Sequence, residues 1–302
     1  MHSTNCRLSG LPPKWSSFQQ SLAQRKRPVV AATVALLLAV LWVQLALTAR
    51  RHSMTVDEGN HIYSGYMSWK TFDFGLNPEH PPLVKLLAAA PLLTAPLKLP
   101  TPLNVYFKAD AYLGGRSFLL DNDKDMILFR ARMAASLLAV LLAFLVFLTA
   151  REMFVTGAGL LVLAVVAFDP NLLAHGALVT TDVGGSCFFL ASVYAFYRWR
   201  KSPSPGRLVL VGLAAGLVLA AKHSGMFVVL MLGALALTES FTWLWEKRPR
   251  PREIAAQSAR SSAALIVVCA VAIVTLWAFY GFRYSARPRG QVLRPPIKAM
   301  IG

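Results

Sequence analysis

Long apolar runs separated by short polar segments dominate the pattern of this chain. A helix needs about 20 consecutive apolar residues to cross a bilayer. Seven runs approach or reach that length, at residues 29–48, 133–150, 153–168, 183–197, 208–221, 224–245 and 261–282. The pattern therefore predicts an all-α, polytopic transmembrane bundle of about seven spans. The first run is long for a secretion signal and no small-residue cleavage site closes it, so we interpret it as an uncleaved anchor.

The runs at 208–221 and 224–245 are predicted to form a hairpin. A single helix over 208–245 would be about 57 Å long, almost twice a hydrocarbon core of about 30 Å. A break at Lys222-His223 also puts the basic loops 198–207 and 246–260 on one side, as the positive-inside rule requires. The polar segment 1–28 then lies in the cytoplasm, and a tail over 286–302 lies outside.

A large external loop, residues 50–132, is predicted between the first two spans. It contains eight acidic residues and one apolar stretch, Leu86–Leu97, whose 12 residues are too few to span. We expect that stretch to lie in the membrane interface as a short amphipathic helix. Residues 29–285, including this loop, are predicted to form one membrane domain.

The charge of the chain follows this topology. Only 15% of its 302 residues are charged and 56% are hydrophobic, yet the formal net charge is +17. Fifteen of the 31 basic residues fall in the predicted cytoplasmic segments, whereas ten of the 14 acidic residues fall in the external ones. The positive charge is thus explained without a nucleic-acid partner. Cys6, Cys187 and Cys269 show neither a disulfide framework nor a metal-binding spacing.

Polar side chains gather at the predicted outer ends of the helices. Ionisable groups at membrane depth are costly, so they are candidates for function. Taken singly, each has a structural explanation: solvated loop charge for Asp57-Glu58, a helix cap for Asp182, a snorkelling side chain for Lys222. Their joint occurrence on one face is more specific. The candidate residues are Asp57, Glu58, His61, His80, Lys85, Asp182, Lys222 and His223.

Two motifs in this order are specific: Asp57-Glu58-x-x-His61-Ile62-Tyr63 after the first span, then His80-Pro81-Pro82-Leu83-Val84-Lys85. With them the chain, over roughly residues 30–285, resembles the polyprenyl-phosphate-sugar-dependent glycosyltransferases of the GT-C class. The branch that it resembles most is that of the bacterial relatives of the protein O-mannosyltransferases. Further matching segments are Arg130-x-Arg132, Thr181-Asp182, Lys222, and Trp277-Ala278-x-Tyr280-Gly281-Phe282-Arg283.

The resemblance implies a hexosyltransferase of the bacterial inner membrane, with its active site at the outer membrane–water boundary. It maps the catalytic base onto Asp57, with Glu58 as partner. Lys85 and Lys222 map onto the residues that hold the donor phosphate, and His61, His80, Asp182 and His223 complete the donor site. A carboxylate can serve as base and cations can stabilise the leaving phosphate. One base without a covalent nucleophile predicts inversion at the transferred sugar.

The resemblance also bears on partners and on completeness. The expected donor is a polyprenyl-phosphate sugar, with mannose as the expected hexose. The acceptor is expected to be a hydroxyl group on a protein, glycan or lipid. Members of the class usually have more spans and often an external soluble domain, so we expect a C-terminally truncated or minimal form.

Metal binding and two other functions are alternatives to this interpretation. Carboxylates and His80 are metal-ligand types, but nothing fixes a ligand spacing and the nearest branch resembles metal-independent enzymes. We therefore expect no metal or other cofactor. One alternative function is a transporter or flippase for a lipid or an anionic solute, which predicts charges near the bilayer midplane. The other is an inactive membrane scaffold.

Overall fold

The fold is entirely helical where the structure, a computed structural model, describes the chain, at residues 13–101 and 106–288. This confirms the predicted all-α class. Cys6 and residues 289–302 of the predicted tail lie outside the described residues. The helices are α1 (Pro13–Arg51), α2 (Val56–Thr71), α3 (Pro82–Ala89), α4 (Phe107–Leu120), α5 (Lys124–Met153), α6 (Thr156–Ala167), α7 (Pro170–His175), α8 (Thr181–Lys201), α9 (Pro205–Ala221), α10 (Phe227–Lys247) and α11 (Pro251–Phe279).

Four helical segments in the described ranges are long and apolar enough to cross a membrane. They are Arg27–Arg51, Lys124–Met153, His223–Lys247 and Pro251–Phe279. The chain is therefore a multi-pass membrane protein. The three other predicted spans coincide with α6, α8 and α9. Helices α6 and α9 are apolar but shorter, and α8 carries charge at both ends, so the total of seven stays a prediction.

The predicted break at Lys222 is confirmed. Helix α9 ends at Ala221 because Lys222 is extended, with φ −150° and ψ 140°. A 3-10 turn, His223–Met226, follows and leads into α10. Gly225 sits so close to α9 that a Cβ there would lie 2.6 Å from the carbonyl oxygen of Val218. The close packing of this turn on α9 holds Lys222 and His223 at the end of the bundle.

The apolar stretch of the external loop differs from its prediction over Leu86–Leu97. Its helix, α3, begins at Pro82, where proline fits the first helical position. A 3-10 turn that contains Pro91 continues it only to Leu92. Helix α3 packs against α2, α5 and α9, and Val84 and Ala88 are buried. Helix α3 therefore packs on its neighbours through one face, and its expected place in the membrane interface stays a prediction.

Two glycines bring the helices of the external loop together. A Cβ at Gly65 of α2 would lie 2.2 Å from the carbonyl oxygen of Lys85. A Cβ at Gly115 of α4 would lie 2.7 Å from the carbonyl oxygen of Gly59. Helix α2 thus packs between α3 and α4. Its first turn lies at one end of the bundle.

The segment after α11 folds back onto the external loop. Phe74 donates its backbone N–H to the carbonyl oxygen of Ala286 at 2.8 Å. Arg287 is buried and lies 2.9 Å from Asp73 and 3.8 Å from Asp110. A tail beginning at 286 was predicted, but residues 286–287 are part of the packed domain. The short chain stretch after α11 is enough to bring the arginine to two buried carboxylates.

Candidate active site at one end of the bundle

Asp57 and Glu58 lie in the first turn of α2 and point to different environments. Successive residues of an α-helix are about 100° apart around its axis. Asp57 is exposed, and its Oδ1 accepts a hydrogen bond of 3.0 Å from the hydroxyl group of Tyr112 on α4. Glu58 is completely buried. Only Asp57 of the pair is therefore open to a substrate.

The carboxylate of Glu58 is saturated by internal contacts. It accepts hydrogen bonds from the backbone N–H groups of Thr55 and Val179, and forms a bidentate ion pair with Arg132 at 2.9 and 2.7 Å. Burial alone would raise the pKa of Glu58, but Arg132 and the N–H donors outweigh it and hold the pKa below its ordinary value. The geometry gives Glu58 a positioning role beneath Asp57.

Arg132 links the buried carboxylate to the end of α1. Its guanidinium also donates to the carbonyl oxygens of Ala49, His52 and Ser53, at 2.7–2.9 Å. The side chain is only 1% exposed. Arg132 therefore connects its own helix, α5, to the end of α1 and to the first turn of α2.

Lys85 supports the loop that carries His80. Its ammonium group donates to the carbonyl oxygens of Asn77 and His80, both at 2.7 Å. The side chain is 2% exposed, and burial lowers its pKa to about 7. Lys85 was predicted to hold the donor phosphate, but in this structure its Nζ lies behind the loop. Its position fits support of the loop instead of direct phosphate contact.

His61 and His80 form a neutral pair. Their rings meet edge to face, with centroids 4.6 Å apart. Burial, helped by the nearby His80 and Lys85, lowers the pKa of His61 to about 3. Burial and Lys85 also lower the pKa of His80, while the charges of Asp57 and Glu79 oppose the shift. Both imidazoles are therefore uncharged at neutral pH, and each can donate one hydrogen bond and accept another.

Lys222 and Asp182 form an accessible ion pair at the same end. Lys222 Nζ lies 2.5 Å from Asp182 Oδ1, and the two side chains are 37% and 65% exposed. Asp182 was considered as a helix cap, but α8 begins one residue earlier, with Thr180 as its N-cap. Gly185 leaves space for the stem of Lys222, whose Cδ would lie 3.3 Å from a Cβ there. An exposed cation is thus held across the start of α8.

His223 ties this ion pair to the His80 loop. Its Nε2 lies 3.0 Å from the carbonyl oxygen of Pro78. Pro78 lies two residues before His80, so this contact brings His223 to the loop that carries His80. The structure thus gathers Asp57, His61, His80, His223 and the Asp182–Lys222 pair, with Glu58 and Lys85 packed behind them. Asp169, 13 residues before Asp182, instead caps α7 by accepting a hydrogen bond from the N–H of Leu172.

Two residues of the site, Tyr112 and Lys108, belong to none of the motifs found in the sequence. Tyr112 bonds Asp57 directly, and Lys108 forms an ion pair of 2.6 Å with Glu79 beside His80. Both lie on α4, which has no apolar run of spanning length. The acidic content of the loop was the only hint that this helix faces the site.

An apolar groove of about 620 Å³ runs along α3 away from the polar cluster. Three residues of its walls are close in sequence to residues of the polar cluster. Leu83 follows His80 by three residues, Phe188 follows Asp182 by six, and Leu217 precedes Lys222 by five. The groove also includes Leu86 and Leu87, from the apolar stretch of the loop between the first two predicted spans. A long hydrocarbon chain can lie here with its polar end near Lys222.

Replacing Lys85 with methionine is expected to lower the free energy of unfolding by about 1–3 kcal/mol, since two buried carbonyl oxygens lose their donor. The loop that carries His80 should loosen with it. Denaturant unfolding in detergent measures the effect. Lys124→Met, at an exposed lysine of α5, is the matched control and should change little. If the two variants were equally stable, Lys85 would not support the loop.

Among the residues that the structure describes, no three His, Cys, Asp or Glu side chains converge as ligands. The expectation of a metal-independent site therefore stays a prediction.

Comparison with protein families shows to which family this part of the chain is similar. The family model described as dolichyl-phosphate-mannose-protein mannosyltransferase matches residues 124–277, about half of the chain. No curated protein matches significantly. The matched segment includes Asp182, Lys222 and His223, whereas Asp57 and the His80 loop lie before it.

Proposed function

Because this chain belongs to the dolichyl-phosphate-mannose-protein mannosyltransferase family, we propose that it transfers a hexose, mannose first among them, from a polyprenyl-phosphate donor to an acceptor hydroxyl group. The acceptor is a protein, or alternatively a glycan or lipid. The reaction takes place on the external face of a bacterial inner membrane, with the N-terminus of the chain in the cytoplasm. Family membership favours this function over a transporter or a scaffold.

The observation that carries the proposal is the polar cluster at one end of an apolar bundle. The exposed carboxylate of Asp57, the neutral imidazoles of His61 and His80, and the accessible ion pair of Lys222 with Asp182 lie there, next to a groove that suits an isoprenoid tail. A lipid-linked sugar needs both environments at once. The arrangement supports a donor with its tail in the groove and its phosphate near Lys222.

We propose a single displacement at the anomeric carbon. The acceptor oxygen attacks that carbon while its proton passes to Asp57. The bond between the anomeric carbon and the phosphate oxygen breaks, and its electron pair leaves with the polyprenyl phosphate. Lys222 turns from Asp182 towards that phosphate and stabilises its growing charge. Attack opposite to the leaving group inverts the configuration, as expected for one base without a covalent nucleophile.

Histidines of the cluster have a part in orienting the donor. An imidazole without charge, as in His80, can bond sugar hydroxyl groups as donor and acceptor together. His80 packs against His61, and His223 contacts the loop that carries His80. We propose that they hold the sugar between the base and the phosphate-binding cation.

The class of donor is tested by transfer assays on purified protein in liposomes. We expect transfer from a polyprenyl-phosphate sugar, with mannose and glucose donors compared, and none from the matching nucleotide sugar. The nucleotide sugar is the informative control because it carries the same hexose without the lipid tail. Transfer from the nucleotide sugar at an equal rate would contradict the proposal.

A further inference from the structure

A second apolar cavity lies at the opposite end of the bundle. It has a volume of about 330 Å³ and is enclosed by α8, α9, α10 and α11. Trp199 lines it, 17 residues after Asp182 on the same helix. At 1.5 Å per residue this separation is about 26 Å, close to the thickness of a hydrocarbon core. The cavity therefore belongs to the membrane face opposite to the candidate active site, so the donor groove does not account for it.

The cavity has an apolar interior and a polar rim. Val211, Leu232 and Val268 form the interior. Ser240, Ser261 and Ser262 stand on its polar side. A volume of roughly 300 Å³ is at the lower end for pockets that bind small molecules. It suits one hydrocarbon chain whose polar end stays at the rim.

The rim is rich in guanidinium groups. Arg200 lines the cavity and forms an ion pair with Glu239, which lies inside the candidate span His223–Lys247. Arg207 and Arg260 lie four residues before the lining residues Val211 and Ala264, so helical geometry puts them on the faces of α9 and α11 that turn to the cavity. Within residues 13–101 and 106–288, neither Arg207 nor Arg260 has a carboxylate partner. Arg207 Nη1 donates to the carbonyl oxygens of Arg198 and Ser202 and Arg260 is exposed, so neither positive charge is neutralised by a carboxylate.

We propose that this cavity binds an anionic glycerophospholipid, with one acyl chain inside and the phosphate at Arg207 and Arg260. Charge complementarity selects the headgroup, since guanidinium groups favour phosphate. The Arg200–Glu239 pair keeps a carboxylate neutralised at membrane depth, where an isolated one is costly. The lipid then joins α8, α9 and α11 on the side of the membrane away from the reaction. The proposal does not depend on the proposed transferase activity.

The test uses native mass spectrometry of the full chain in detergent, with phosphatidylglycerol as the probe and phosphatidylcholine as the neutral comparison. Gly233 lines the cavity, and a Cβ there meets no atom within 4 Å. Gly233→Leu should fill the cavity and weaken phosphatidylglycerol binding at least tenfold. Gly157→Leu is the matched control, because Gly157 is an equally open helical glycine outside the cavity. It should leave binding unchanged.

The headgroup is tested separately. Arg207→Gln and Arg260→Gln should each weaken phosphatidylglycerol binding about fivefold and leave phosphatidylcholine binding as it is. Thermal unfolding of every variant establishes that it is folded. Equal binding of the two lipids by wild-type protein would overturn the proposal, as would unchanged binding by folded Gly233→Leu. Displacement of phosphatidylglycerol by low concentrations of polyprenyl phosphate, lost in Gly233→Leu, would assign the cavity to the donor lipid instead.

Discussion

Replacing Arg132 with methionine is expected to lower the free energy of unfolding by about 3–5 kcal/mol, because it leaves the buried carboxylate of Glu58 without its cation. The three carbonyl oxygens at the end of α1 also lose their donor. A domain is typically stable by only about 5–15 kcal/mol, so the variant should be largely misfolded or strongly heat-sensitive. Denaturant unfolding of detergent-solubilised protein measures the loss.

Two further variants separate this ion pair from general effects of the substitution. Arg130→Met changes an exposed arginine two residues away on the same helix and should alter stability by less than about 0.5 kcal/mol. Arg132→Met combined with Glu58→Gln should be more stable than Arg132→Met alone, since no uncompensated buried charge remains. A double variant no more stable than the single one would show that the ion pair is not the cause.

The positions of the helices were largely predictable from the sequence. Crossing a membrane demands long apolar segments, so the runs at 29–48, 133–150, 224–245 and 261–282 identify the four spans that the structure supports. The break at Lys222 followed from length and charge, because one helix over 208–245 is too long for a bilayer and a break there puts both basic loops on one side. The length of an apolar run can be read from the sequence, so these helices could be predicted without tertiary contacts.

The sequence did not predict that Asp57 is exposed while Glu58 is buried. Both are acidic neighbours in one motif, and which of them is buried depends on how α2 sits against α5. That orientation is set by Arg132, 74 residues further along the chain. Arg287 is a stronger case, since it lies 214 residues from its partner Asp73. Pairings over such separations leave no pattern in a single sequence.

The prediction for Lys85 failed to anticipate its surroundings for a similar reason. Its place in the motif after His80 suggested contact with a phosphate. In the structure, Gly65 allows α2 to pack tightly on α3, and the lysine turns back to the carbonyl oxygens of its own loop. A motif identifies residues that act together, but tertiary packing decides which of them face the substrate.

Replacing Asp57 with asparagine is expected to reduce the turnover rate for sugar transfer by about 10²–10⁴-fold, the usual contribution of a positioned base. Asparagine keeps the size of the side chain and can still accept the hydrogen bond from Tyr112. It cannot take a proton from the acceptor. The KM for the lipid-linked donor should change little, because the lost interaction acts only in the transition state.

The stability of the Asp57→Asn variant should stay close to that of the wild type. Its side chain is exposed, and the buried network below it is built on Glu58 and Arg132. Asp121→Asn is the matched control, as it changes another exposed carboxylate of the same loop, at the end of α4. This control should retain full activity.

Asp57, an exposed carboxylate at one end of the bundle, is the base that we propose for transfer from a lipid-linked sugar. Its role is tested by measuring sugar transfer from polyprenyl-phosphate mannose by wild-type, Asp57→Asn and Asp121→Asn protein in liposomes. We predict robust transfer by the wild type and by Asp121→Asn, and loss of at least 100-fold in Asp57→Asn. Transfer by folded Asp57→Asn within about twofold of the wild type would contradict the account.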